Sequence, residues 1–139
     1  MNPKWNKYFM DVALITAQLS YAKRLQVGAV AVRDKRIICV GFNGMPEDSK
    51  DNNCEYMVDG ALVTRPEVIH AEHNLIKFAN SHDIDILGAT MYITHAPCIG
   101  CASYIAAAGF DKVFWKDDYR SIEGIKFLQT NNIETCHYE

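Results

Sequence analysis

His70, Cys98 and Cys101 are the residues of this chain whose types and spacing suit metal chemistry. One imidazole and two thiols supply three bonds to a zinc ion and leave a fourth tetrahedral position open, as catalysis requires. A structural site would close with a further Cys or His, and none presents itself at regular spacing. Cys98 and Cys101 stand three apart behind Pro97, at the start of a predicted helix, so both side chains share one face. The dipole and free N–H groups at such a helix start favour their thiolate forms. Glu72 is only two residues after His70. Helical ligands come three or four apart, so this spacing suits a carboxylate beside the metal rather than on it. Zinc with two thiolates and a neutral imidazole sums to zero charge and acidifies a bound water less than an all-histidine site does. A carboxylate that takes the proton is then useful.

The elements that position these residues follow from periodicity and punctuation. Asn2 caps and Pro3 opens a first helix, whose stripe of Trp5, Tyr8, Phe9, Val12, Thr16 and Leu19 is predicted to face the core. Val27 to Val32 and Ile37 to Phe42 read as antiparallel strands around the turn Arg33-Asp34-Lys35-Arg36. From Asn43 to Val68 the periodicity fails, and Gly44, Pro46, Asp48, Asn52 and Asn53 mark a long loop of the kind that is usually functional. Helices are predicted over 70–80, 98–108 and 121–130, and strands over 90–94, 113–115 and 133–137. The order α-β-β-α-β-α-β-α-β implies an α/β fold: a mixed five-stranded sheet with helices on both faces, a three-layer α/β/α sandwich in a single domain over 1–139.

A chain of 139 residues, 49% hydrophobic and 22% charged, is expected to be one soluble globular domain. No apolar run reaches the length of a membrane span, and Met1-Asn2-Pro3-Lys4-Trp5 lacks a signal-peptide pattern, so the cytoplasm is the expected compartment. Five cysteines cannot all pair within the chain, and Cys39, Cys54 and Cys136 read as buried or idle thiols. A net charge of −3 argues against long nucleic acid as partner, while a small anionic ligand needs only two or three local cations.

His70-Ala71-Glu72 and Pro97-Cys98-Ile99-Gly100-Cys101 together match the known signature of the zinc nucleobase deaminases, H-x-E followed by P-C-x-x-C. The runs Val27-Gly28-Ala29-Val30, Gly41-Phe42-Asn43-Gly44-Met45-Pro46, His70 to Ile76 and Tyr119-Arg120-Ser121-Ile122-Glu123-Gly124 extend the likeness, and the chain resembles the deoxycytidylate deaminases from about residue 5 to its end. That resemblance implies a cytidine deaminase-like fold, one catalytic zinc on His70, Cys98 and Cys101, and hydrolytic conversion of dCMP to dUMP with Glu72 as proton shuttle. It further implies that Asn43, beside Ala71, holds the deoxyribose, and that Tyr119 and Arg120 lie at the 5′-phosphate. Arg24 is a further phosphate candidate, because guanidinium matches phosphate oxygens in a bidentate fork. By the same resemblance the chain is expected to form hexamers, with dCTP and a divalent cation such as Mg2+ activating and dTTP inhibiting. Gly41, Gly44, Glu47 and Asp48 are the expected effector-binding residues.

Rival readings stay open at this level. Another cytosine nucleotide or nucleoside, such as dCTP or deoxycytidine, would use the same reaction. Adenosine in tRNA would call for a basic surface that a net charge of −3 does not suggest. A non-catalytic zinc-containing nucleotide sensor would have no use for the Glu72 carboxylate.

Overall fold

The computed structural model describes residues 2–139. Helix α1 spans Pro3–Ala17 and is followed by strands β1 (Gly28–Arg33) and β2 (Arg36–Phe42). A second hairpin, β3 (Glu55–Val58) and β4 (Ala61–Thr64), precedes helix α2 (Ala71–Ser81). Then come β5 (Thr90–His95), α3 (Ile99–Ala108), β6 (Lys112–Asp117), α4 (Glu123–Thr130) and β7 (Glu134–His137). Local chemistry sets several of these limits. Asn2 Oδ1 accepts the Lys4 N–H at 2.8 Å, with Pro3 at the first helical position. Asp34 and Lys35, at φ 52° and 60°, make the tight turn whose twist matches the flanking strands β1 and β2.

The main sheet has the order β2-β1-β5-β6-β7. Strand β1 is antiparallel to both β2 and β5, while β5, β6 and β7 run parallel through the crossovers α3 and α4. On one face Ala29, Ala31, Met91, Ile93 and Val113 pack with Leu75 of α2, Ile105 of α3 and Leu128 of α4. On the other, Val30, Val32, Tyr92 and Phe114 pack with Phe9, Met10 and Ala13 of α1. Covering both faces makes β1 a continuous apolar run rather than an alternating one. The three-layer mixed sheet expected from the element order is the one observed.

Two local expectations are corrected. The buried face of α1 is Phe9, Met10, Ala13, Thr16 and Ala17, while Tyr8 and Leu19 are exposed and Leu19 lies past the helix end. Small residues at 13 and 17 let the helix approach the sheet closely: a Cβ on Gly28 would stand 2.1 Å from the Ala13 carbonyl oxygen. Proximity, rather than side-chain bulk, decides which stripe is buried. The second correction concerns 43–68, expected to be a loop throughout. Residues 55–64 form the β3–β4 hairpin, turned by Asp59 and Gly60 at φ 49° and 81°. Aspartate followed by glycine is a strong turn signal, but the flanking strands are largely exposed and lack the apolar alternation that marks a half-buried strand.

Candidate active site

Chain direction brings the site together. The carboxyl ends of β5 and β6, the end of β2 and the start of β1 all lie at one edge of the sheet, given the pairing directions above. Open α/β sheets bind ligands outside the carboxyl ends of their strands. Here α2 and α3 both begin at that edge.

His70 is the N-cap of α2, with an extended backbone, and Cys98 is the N-cap of α3, its Sγ 3.5 Å from the Cys101 N–H. His70 Nδ1 stands 3.1 Å from Cys101 Sγ and 3.7 Å from Cys98 Sγ. All three ligand atoms lie within 4.8 Å of one another. Atoms bonded to one tetrahedral zinc at about 2.3 Å (sulfur) and about 2.0 Å (nitrogen) stand roughly 3.5 Å apart, so the donors fit that ion as they are placed. Among the described residues no fourth His, Cys, Asp or Glu joins the group. His73 instead stacks on Tyr104, ring centroids 4.2 Å apart, and Cys54 is buried elsewhere.

The donor set also fits a cation electrostatically. Hydrogen bonds from the Cys101 thiol and then from His70 pull Cys98 down to about 3, a thiolate at neutral pH. Cys101 is pushed up, first because it donates to Cys98 and then by burial. The two sulfurs share one proton, in the place where a divalent ion would neutralise two thiolates. Glu72, in the first turn of α2, is 3% exposed and in hydrogen-bond contact with Cys101. Burial pushes its carboxyl up to about 7. A carboxyl poised near neutrality can both take and return a proton.

A cavity of about 510 Å³ opens from this centre. Ala71, Glu72, His70, Cys98, Arg24, Asn43, Tyr119 and Arg120 all line it. Asn43 is buried, with Oδ1 accepting the Val27 N–H at 2.9 Å and Nδ2 donating to the Leu25 carbonyl at 2.8 Å. Its amide therefore shapes the 25–27 segment, and each end keeps one further hydrogen-bonding position. The Arg120 guanidinium lies 5.5 Å from the Tyr119 ring centroid. Of the expected effector residues, Gly41 is buried in β2, where a Cβ would stand 2.6 Å from the Ala71 carbonyl oxygen, so its lack of a side chain lets β2 meet α2. Gly44 exchanges two backbone hydrogen bonds with Ile69, at 3.1 and 2.8 Å, tying the loop to the residue before His70. Glu47 and Asp48 are exposed. None of these four lines the cavity.

Several positions that line the cavity are not foreshadowed by the sequence. His95, Thr64, Val68 and Asp118 line the cavity without any spacing signal. Burial lowers the pKa of His95 despite Asp117, whose Oδ2 is 3.6 Å from its Nε2. Gly124 lies against the metal centre from behind. A Cβ there would meet the Pro97 carbonyl oxygen at 2.1 Å and the Cys98 backbone at 3.0 Å, so only glycine lets α4 rest on the segment that delivers Cys98.

Residues 3–116 match the family model of the cytidine and deoxycytidylate deaminase zinc-binding region. The chain is 35% identical over 123 residues to the deoxycytidylate deaminase of Mycobacterium phage D29, covering 81% of this chain and 94% of that protein. It is 37% identical to human deoxycytidylate deaminase, covering 83% of this chain and 66% of the human protein. Among solved structures it superposes on the dCMP deaminase of cyanophage S-TIM5, crystallised with dCMP and dUMP, with a TM-score of 0.92, 35% identity and 99% of each chain covered. With its fold, its three converging donors and a buried carboxyl beside them, the chain belongs to the cytidine and deoxycytidylate deaminase family.

Proposed function

We propose that this protein deaminates dCMP to dUMP, the route that supplies thymidylate, with one zinc per chain held by His70, Cys98 and Cys101. A single observation carries the reading. One cavity joins the His70–Cys98–Cys101 cluster and Glu72 to two arginines, Arg24 and Arg120, so reaction and phosphate recognition share one space. The likeness to a dCMP deaminase crystallised with dCMP and dUMP supports the same substrate.

Zinc, when bound, supplies an acidified water as the nucleophile. Glu72 would take one proton from the attacking water and pass it to the pyrimidine ring nitrogen, and would then take the second proton, from the hydroxyl formed on the ring carbon, and pass it to the amine that departs as ammonia. A carboxyl held near 7 suits both directions of transfer. Asn43 uses its remaining donor and acceptor positions on the deoxyribose hydroxyl, with Ala71 packing beside the sugar. Arg24 and Arg120, the latter against Tyr119, hold the 5′-phosphate. A hexamer, activation by dCTP with Mg2+ through Gly41, Gly44, Glu47 and Asp48, inhibition by dTTP, and a cytoplasmic setting complete the reading on family likeness. No helix among the described residues is long and apolar enough to cross a membrane.

The test is ammonia release from cytosine, deoxycytidine, dCMP and dCTP side by side, with and without dCTP–Mg2+ or dTTP as effectors. The expected result ranks dCMP first. A better rate with deoxycytidine or dCTP overturns the substrate, and zinc-loaded protein inactive on all four overturns the enzyme.

A further inference from the structure

Arg24 is gripped twice by one rung of a hairpin. Glu55 and Thr64 face one another across β3 and β4. Glu55 Oε2 accepts the backbone N–H of Lys23 at 2.8 Å and of Arg24 at 2.9 Å. Across the rung, Thr64 Oγ1 accepts from Arg24 Nη1 at 2.7 Å. The hairpin therefore holds both the main chain and the guanidinium of a single residue. Thr64 engages one of the five N–H donors of Arg24 and lines the same cavity.

This grip is built at a cost that loop closure alone does not require. Glu55 is 2% exposed, and its second carboxyl oxygen, Oε1, has no hydrogen-bond partner. Burying a carboxyl with one oxygen unsatisfied is unfavourable, and an amide or hydroxyl could tether two N–H groups more cheaply. What the arrangement gains is order in a long, exposed side chain. A free arginine loses rotamer entropy when a ligand fixes it, and an arginine already held in place loses less on binding.

We propose that Glu55 and Thr64 are positioning residues that preset Arg24 for the substrate's 5′-phosphate, which makes the β3–β4 hairpin part of the substrate-selecting apparatus. The proposal rests on the reading of Arg24 as a phosphate ligand. Neither residue touches the reacting atoms, so the signature falls on KM rather than kcat.

Steady-state kinetics with dCMP on zinc-loaded wild type, Thr64→Val, Glu55→Gln, Arg24→Ala and the Arg24→Ala/Thr64→Val double variant decide the matter, with zinc content measured in each. Thr64→Val is expected to raise KM about tenfold with little change in kcat, the scale of one lost charge-assisted hydrogen bond. Glu55→Gln, which keeps an acceptor oxygen, is expected to raise KM less. The double variant is expected to be no worse than Arg24→Ala, because Thr64 acts only through that arginine. A wild-type KM in Thr64→Val while Arg24→Ala is impaired overturns the positioning role alone. An equal Thr64→Val penalty with and without Arg24 does the same, since it marks a general structural effect. A wild-type KM in Arg24→Ala overturns the phosphate assignment and the positioning with it.

Discussion

The cavity lining divides by chemistry into a metal end and an arginine end, and the two are built in different ways. At the metal end His70 and Cys98 cap α2 and α3, and Glu72 and Cys101 are buried side chains in the first turns of the same helices. Those helices are fixed against the sheet by Leu75, Ile105 and their neighbours, so the donors have little freedom to drift. At the other end Arg24 and Arg120 are exposed on connecting segments, and Arg24 depends on a separate two-stranded hairpin for its place. A two-stranded hairpin has little stability of its own. The contrast suggests a division of labour. On the proposed reading, the rigid scaffold would fix a reaction that tolerates no misplacement, and adjustable segments would select the substrate.

The sharpest way to break this comparison is at Glu72. Glu72→Gln is expected to lower turnover by about 10³-fold or more while zinc stays at the wild-type ratio, because Glu72 is not one of the three donors. Loss of zinc from the variant would contradict the role. The same side chain gives a stability effect of opposite sign. Its folded pKa of about 7 lies above the ordinary 4.5, so between those values the folded protein holds a proton that the unfolded chain has released. The stability this contributes is complete below about pH 4.5 and is lost as pH rises through about 7. In chelator, urea unfolding of the wild type relative to Glu72→Gln is expected to lose up to about 3 kcal/mol between pH 5 and pH 8. Parallel pH profiles for the two proteins would remove burial as the cause.

Gly124 tests the rigidity of the metal end from behind. Gly124→Ala places a methyl group where the Pro97 carbonyl now sits and is expected to weaken zinc about 10- to 100-fold in a chelator competition, the range typical of disturbed outer contacts. Unchanged affinity would show that the segment carrying Cys98 yields easily. The smallest effect belongs to the other end. Arg120→Ala is expected to raise KM for dCMP about tenfold with zinc and kcat nearly unaltered. A fall in kcat instead would place Arg120 closer to the chemistry than the phosphate.

The same contrast explains what could be read from the sequence. The His70–Cys98–Cys101 cluster is legible because helix geometry turns spacing into position: Cys98 and Cys101 share a face, and the two-residue step from His70 to Glu72 leaves the carboxyl outside the group of three donors. The mixed five-stranded sheet was legible because apolar runs alternate with helical periods. Gly124 ends the run 119–124 that resembles the family, but its purpose lies in contact with a backbone segment remote in sequence, which no periodicity reveals. Asn43 was expected to face a sugar, yet its amide first serves the Leu25 and Val27 backbone. Glu55 and Thr64 were hidden because their hairpin is exposed and carries no apolar alternation. The setting of Arg24 is assembled by tertiary contacts, and spacing says little about those.

The most direct measurement is the preference for dCMP over deoxycytidine, taken as a ratio of kcat/KM, in wild type and in Arg24→Ala/Arg120→Ala with zinc content matched. If one cavity joins deamination at His70, Glu72, Cys98 and Cys101 to phosphate recognition at the two arginines, the wild type prefers dCMP and the double variant loses most of that preference. A preference that survives the loss of both arginines, or a wild type that favours the nucleoside, would contradict it.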